Sequence, residues 1–331
     1  MTDNWNLTGH DWAVDMLSRH VANGEARHAY LFCGPAGLGR RSLALAFAQA
    51  LNCTNPPAPG QFCGECRDCK QTAAMQHPDM TVIQAEAEGG TLKVDQVRAV
   101  QHALALKPYQ SKYRVALFLN FQDAHPSAAN ALLKTLEEAP SYAILLLTAD
   151  TPEALLPTIV SRCEVLRLRP LKIEDVERML ESRGVDSGQA RLLAHISAGR
   201  PGYAQRLAVD EKLLEARAER LTDLQTLLKS TRVKKFAYAE KLTKDKNKDA
   251  MRQAILFWLS YWRDVFLCTA KAKTPITNVD HADEIESLAA RLTLASARRV
   301  VADLELALER LERNVNPRLL AEVLLLDWPK V

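Results

Sequence analysis

No glycine follows Gly202 in this chain of 331 residues, and beyond that point only Pro275, Pro317 and Pro329 interrupt the run. Glycine and proline are the residues a helix tolerates least. What remains there is rich in Leu, Ala, Glu, Lys and Arg, all good helix formers. The C-terminal third is therefore restricted to an all-helical fold. Val301, Leu304, Leu308 and Leu311 recur at helical spacing. Pro317 suits the first turn of a last helix running through Leu320, Val323, Leu324 and Asp327.

Residues 1–170 have a different character and hold nine of the thirteen glycines. Short apolar runs predict strands at Ala29–Cys33, Thr81–Ile83, Arg114–Asn120, Ile144–Thr148 and Cys163–Leu168. Between them, helical patterns cover Ser42–Leu51, Val94–Leu106 and Ala128–Glu138. Strands alternating with helices predict a parallel sheet covered on both faces. From Pro170 to about Leu207 the pattern is helical without a strand. The expected fold class is α/β plus all-α, in three parts: 1–168, 169–208 and 209–331.

The net charge of +3, from 43 basic and 40 acidic residues, is too balanced to mark a nucleic-acid binder by itself. With 47% hydrophobic and 25% charged residues, the chain is an ordinary globular one. It has no apolar run of the ~18 residues a membrane span needs. The polar start at Met1 carries no export pattern, so a cytoplasmic location is expected, where thiols stay reduced. The seven cysteines then do not read as a disulfide framework.

Four of them, Cys53, Cys63, Cys66 and Cys69, give C-x9-C-x2-C-x2-C. Overlapping C-x2-C turns with one distal cysteine supply four thiolates to a tetrahedral ion. Such a closed, all-sulfur set points to structural zinc. Gly60 and Gly64 permit tight turns, and Pro56, Pro57 and Pro59 stiffen the loop. The bacterial iron–sulfur run would need another cysteine after Lys70, and none is there. Cys33, Cys163 and Cys268 stand apart and read as small apolar residues.

After the first strand comes Gly34-Pro-Ala-Gly37-Leu-Gly39-Arg40-Arg41-Ser42, the strand–loop–helix context of a phosphate-binding loop. Arg40 stands where the pattern needs lysine, and Arg41 where it needs a hydroxyl for magnesium. Arginine is larger than the compact lysine ammonium and has no acceptor for a cation. The neighbouring strand ends in Asn120 rather than an acidic pair, with Asp123 three residues on. No ATP hydrolysis is expected. The loop reads as a turn kept for folding, or as a weak phosphate or nucleotide site.

Three stretches together carry a family resemblance: His28-Ala-Tyr-Leu-Phe before the loop, Asn130-Ala-Leu-Leu-Lys-Thr-Leu-Glu-Glu138, and Ser161-Arg162-Cys163. In this order the chain resembles bacterial DNA polymerase III clamp-loader subunits of the AAA+ superfamily. The damaged loop favours the delta-prime branch over the gamma/tau motor branch. The likeness runs through Val315-Asn-Pro-Arg-Leu-Leu320. It implies an AAA+ α/β domain (1–168) with a zinc-binding insertion (53–69), a helical lid (169–208) and an oligomerising collar (209–331). It implies that the four cysteines hold zinc, and that Arg162 enters a neighbour's ATP site as an arginine finger. Active relatives place an arginine in the lid where this chain has Gly202, with Arg200 out of register. Implied partners are the gamma/tau and delta subunits and, through the assembly, the sliding clamp and primed DNA, with no membrane. Two other readings are open: a working AAA+ ATPase, and a zinc-dependent DNA-binding module.

Lys229, Arg232, Lys234, Lys235, Lys241, Lys244, Lys246 and Lys248 form a basic stretch that reads as a solvated helix face, with DNA phosphate as the other possibility. Phe257, Trp258, Tyr261, Trp262 and Phe266, interleaved with aliphatics, read as a buried core or subunit contact rather than a base-stacking platform. His10, His20 and His195 have no evident ligand partners, and no Ser-His-Asp set is apparent.

Overall fold

The computed structural model describes residues 5–86, 90–244, 248–313 and 315–329. Met1 and Lys246 lie outside the described residues, as does the side chain of Lys248. The chain forms two compact units. One contains the residues up to Met179 together with 199–203, and the other contains 180–198 and 204 onward.

In the first unit, strands β1 (Ala29–Cys33), β2 (Met80–Ile83), β3 (Arg114–Phe118), β4 (Ala143–Ala149) and β5 (Glu164–Arg167) form one sheet in the order β2-β3-β4-β1-β5. Every pairing is parallel. All seven residues of β4 are buried, as expected of a central strand covered on both faces. Alternate residues divide between two cores. Tyr30, Phe32, Leu117, Ile144 and Leu146 pack with helices α1 (Asp11–Ala22) and α2 (Arg40–Asn52). Leu31, Ala116, Phe118, Leu145 and Leu147 face the other way. They meet α4 (Val94–Ala105) and α5 (Pro126–Glu137), which follow the short α3 (Arg67–Ala73). A four-residue helix, α6 (Pro157–Val160), precedes β5.

Helices α7 (Ile173–Glu181), α8 (Ser187–Ile196) and α9 (Pro201–Val209) follow. The remaining helices are α10 (Glu211–Leu228), α11 (Arg232–Thr243), α12 (Lys248–Thr269), α13 (Ala282–Ala289), α14 (Leu294–Glu312) and α15 (Pro317–Asp327). Their core centres on Ile255, Trp258, Tyr261 and Trp262 of α12, with Leu304 of α14 and Leu324 of α15. Trp258, Tyr261 and Trp262 of the aromatic run are thus interior, while Phe257 and Phe266 are half-buried. Trp258 meets Trp328 edge to face at 5.2 Å, a favoured ring arrangement.

Two details depart from the sequence reading. The buried stripe of α14 runs through Val300, Leu304, Ala307 and Leu311, with Val301 and Leu308 at its margin. Helices α1 and α3 are not among the predicted elements, although α1 has a clear apolar face of Ala13, Val14 and Leu17; α3 spans only seven residues.

The topology places the functional loops. The ends of β1 and β4 are in register, Cys33 opposite Ala149, and Phe118 of β3 stands opposite Leu147. The segments that leave these strands, at Gly34, Asn120 and Asp150, therefore emerge along one edge, the carboxyl ends where parallel sheets hold their ligands.

Candidate functional site

Gly34, Gly37 and Gly39 all have positive φ. The turn begins with the Gly34 amide shared between the carbonyls of Ala149 (3.2 Å) and Asp150 (3.0 Å). A Cβ on Gly34 would lie 2.8 Å from the Leu168 carbonyl, and one on Gly37 would meet the Tyr203 Cβ at 2.9 Å. Both glycines are therefore needed for close approach, not only for the turn.

The loop is braced by neighbouring segments of the chain. Arg40, only 8% exposed, sends Nη1 to within 2.8 Å of Asp150 Oδ1, while its Nη2 donates to Asn120 Oδ1 at 3.3 Å. The first turn of α2 contains no acidic residue. The positive helix end plus guanidinium that would attract a phosphate is answered by the Asp150 carboxylate. On the other side, the Gly37 carbonyl accepts the amide of Gly202 at 2.8 Å, and the Arg200 guanidinium lies 4.6 Å from the Tyr203 ring. Arg41 is exposed at the second position of α2. Sequence reasoning missed Asp150. Its signal was a carboxylate directly after the apolar run of β4.

Cys53, Cys63, Cys66 and Cys69 converge, with all four Sγ atoms within 4.8 Å of one another. Cys53 and Cys63 sulfurs are 3.6 Å apart and those of Cys63 and Cys69 4.0 Å. Four thiolates at ~2.3 Å around a tetrahedral ion stand about 3.8 Å apart, so the donor set fits. Backbone amides of Cys63, Cys66 and Cys69 point at the sulfurs of Cys53, Cys63 and Cys66 at 3.3, 3.3 and 3.4 Å, a second shell that stabilises thiolate charge. Burial works against ionisation of Cys53, Cys66 and Cys69. It pushes Cys53 up, and at Cys66 it is outweighed by the Thr54 hydroxyl and nearby amides, which bring that thiol down to about 6. The loop is pinned from outside, since Trp5 Nε1 and Ser18 Oγ both donate to the Gly60 carbonyl.

The base of this cluster continues into a buried polar network that the sequence did not reveal. Asp68, beside Cys69 on α3, meets His77 Nε2 at 3.1 Å and accepts from Gln110 Nε2 at 2.8 Å. Ser111 Oγ is 3.2 Å from the same His77 nitrogen. This brings a serine, a histidine and an aspartate together, but not as a nucleophilic triad. The Asp79 amide donates to His77 Nδ1, so Nε2 carries the proton and faces both partners. Asp79, wholly buried, accepts the amides of Tyr109, Gln110 and Ser111 at 2.6, 2.9 and 3.0 Å. The signal was separated in sequence by about thirty residues, which no local pattern can pair.

Arg162 lies between α6 and β5, about one-third exposed. Its Nη1 donates to the Thr158 carbonyl at 2.9 Å, and its Nη2 to Glu137 Oε1 at 2.5 Å. Leu132 and Leu136 of the same helix are buried, Leu133 half-buried, and Lys134, Glu137 and Glu138 exposed, as the periodicity of that run predicts.

The basic stretch needs one correction. Lys235 is buried rather than solvated, and its Nζ donates to the Leu325 carbonyl at 2.7 Å. It caps the C-terminal end of α15, where a cation is favoured. Lys229, Arg232 and Lys235 border a cavity of about 610 Å³ with Trp328. The three histidines serve structure: His10 Nε2 contacts the Leu38 carbonyl, His20 Nδ1 the Tyr30 hydroxyl and His195 Nδ1 the Ile276 carbonyl, all at 2.9 Å. Among the described residues no helix is long and apolar enough to cross a membrane.

Comparison with known proteins agrees over most of the chain. The family described as DNA polymerase III, delta subunit, matches residues 9–172, and its C-terminal counterpart matches 211–330. The DNA polymerase III subunit delta' of Pseudomonas aeruginosa is 37% identical over 66% of each chain, so the match spans just under two thirds of that relative. The delta' subunit of Bacillus subtilis is 28% identical over 95% of this chain and 94% of its own. Subunit tau of Bacillus subtilis is 30% identical over 59% of this chain and 35% of its own length. Among solved structures, a gamma subunit-related protein of Thermotoga maritima is 18% identical over 95% of this chain and 97% of that one, with a TM-score of 0.40.

Proposed function

The chain belongs to the DNA polymerase III clamp-loader family of delta-prime subunits, and from that premise we propose that it is an ATP-inert stator lending Arg162 to a neighbour's nucleotide site. The neighbour is a gamma/tau subunit. The delta subunit, the sliding clamp and primed DNA complete the assembly.

The observation that supports the inert half is the engagement of the loop by other parts of the chain. Arg40 is tied to Asp150 and Asn120, and the Gly37 carbonyl is tied to Gly202. A nucleotide at the α2 N-terminus would compete with an ion pair whose arginine is buried and whose carboxylate is partly exposed. It would then find no hydroxyl at Arg41 to hold magnesium. The finger half is supported by Arg162 itself, a partly exposed guanidinium held at two points on a rigid α/β frame. Such a fixed positive charge stabilises a transferring phosphoryl group without reorganising during the reaction. The cysteine cluster holds a structural zinc in this reading, and the parts divide as 1–168, 169–208 (lid) and 209–331 (collar).

The test is reconstitution with gamma/tau and delta subunits. Arg162→Ala is expected to assemble normally and to lower DNA-stimulated ATP hydrolysis and clamp loading. The loss should be smaller than the 10³–10⁵ seen for single-site fingers, because other subunits retain their own arginines. Unchanged activity removes the finger assignment. Magnesium-dependent ATP turnover by the isolated chain would overturn the inert reading.

A further inference from the structure

Arg162 is tethered at both ends of its guanidinium fork to different elements. Nη1 is held by the Thr158 carbonyl of α6 and Nη2 by the Glu137 carboxylate at the end of α5. A guanidinium is planar and carries five N–H groups in a fixed fork. Two tethers from separate elements define its plane, and three N–H groups remain for an incoming anion. Glu137 is the last residue of α5, where the helix dipole also favours a cation. Half exposed, it pairs with Arg162 alone among the described residues, so it holds together no other part of the fold.

We propose that Glu137 is a positioning residue for Arg162, fixing the direction in which the guanidinium meets the terminal phosphate of a nucleotide bound by the adjacent subunit. This rests on the reading of Arg162 as a finger acting in trans. The Thr158 tether lies four residues away on the chain and leaves rotation about the side chain free. Glu137 is twenty-five residues distant and supplies the second fixed point. Its value is geometric: a misplacement of about 1 Å at a reacting centre costs up to 10²-fold in rate. A single-acceptor tether at a half-exposed site should cost less, about ten-fold.

The experiment uses the assembled loader with DNA-stimulated ATP hydrolysis as readout, comparing Glu137→Ala, Glu137→Gln, Arg162→Ala and the Glu137→Ala/Arg162→Ala pair. Glu137→Ala should lower kcat about ten-fold with KM for ATP unchanged. Glu137→Gln keeps an acceptor oxygen at the same reach and should restore most of the rate. The double variant should be no slower than Arg162→Ala alone, because Glu137 acts only through the arginine. If Arg162→Ala impairs hydrolysis while Glu137→Ala leaves it unchanged or faster, the positioning role is overturned and the finger stands. If Arg162→Ala has no effect, the finger reading fails and this inference falls with it. A Glu137→Ala defect that persists undiminished in the Arg162→Ala background likewise overturns the positioning role.

Discussion

Replacing Asp79 by alanine tests how the first unit holds the segment between α4 and β3. The carboxylate is wholly buried, accepts three consecutive amides, and has Arg114 Nη1 at 3.8 Å. A hydrogen bond to a charged group contributes about 1.5–3 kcal/mol, and an orphaned buried donor costs about 1–3 kcal/mol. Tyr109 and Gln110 are exposed, so water can reach two of the three amides once the carboxylate is gone. Discounting those two leaves a loss of about 3–4 kcal/mol. At about 2–4 °C per kcal/mol for a unit of this size, its melting transition should fall by roughly 10 °C. Asp79→Asn, which keeps one acceptor, should fall between. Two compact units make a single unfolding free energy ill-defined. The assay is therefore calorimetry of the full chain, with hydrogen exchange at the amides of Tyr109, Gln110 and Ser111 as local readout.

Acidity supplies a second check. Burial, the largest single influence, pushes the Asp79 carboxyl up. The three amide bonds together outweigh it, and the group titrates below the usual carboxylate range. A depressed carboxyl contributes stability that is fully present above its unfolded value of about 3.9 and is lost as pH falls through the folded value. The gap between parent and Asp79→Ala should be constant from pH 5 upward and narrow below about pH 4. A transition within 2 °C of the parent, unchanged exchange at the three amides, or a gap that widens on acidification would refute the reasoning.

Chelation should release one zinc per chain, and it should speed hydrogen exchange not only in 53–69 but also at Gln110 and Ser111, which reach the cluster through Asp68 and His77. Exchange confined to the cysteine loop would show that the polar network holds without the metal. Arg40→Ala should destabilise the first unit by about 1–2 kcal/mol after discounting for the partly exposed Asp150, read as a lower melting transition. It should not create ATP hydrolysis, because Arg41 still offers magnesium no ligand. Binding and turnover of radiolabelled ATP check that outcome.

Much of this was legible in order along the chain. Local signals located all five strands to within one or two residues at most ends, because buried parallel strands are short unbroken apolar runs. The convergence of the four cysteines was legible because their spacing is local. Helices α1 and α3, the stripe of α14 and the burial of Lys235 were not. Each depends on what packs against it.

The amino-acid sequence by itself determined the division into α/β and all-helical parts, the four-cysteine set that could hold a metal ion, and the departure of the glycine loop from the phosphate-binding pattern. These follow from backbone preference and from which atoms each residue type offers. Only the tertiary structure decided that Asp150 and Gly202 close that loop, that Glu137 holds Arg162, and that Asp79 and His77 link the cysteine cluster to residues 109–111. Each of those contacts joins groups far apart along the chain. Their partners are set by strand order and helix packing, which no short stretch of residues encodes.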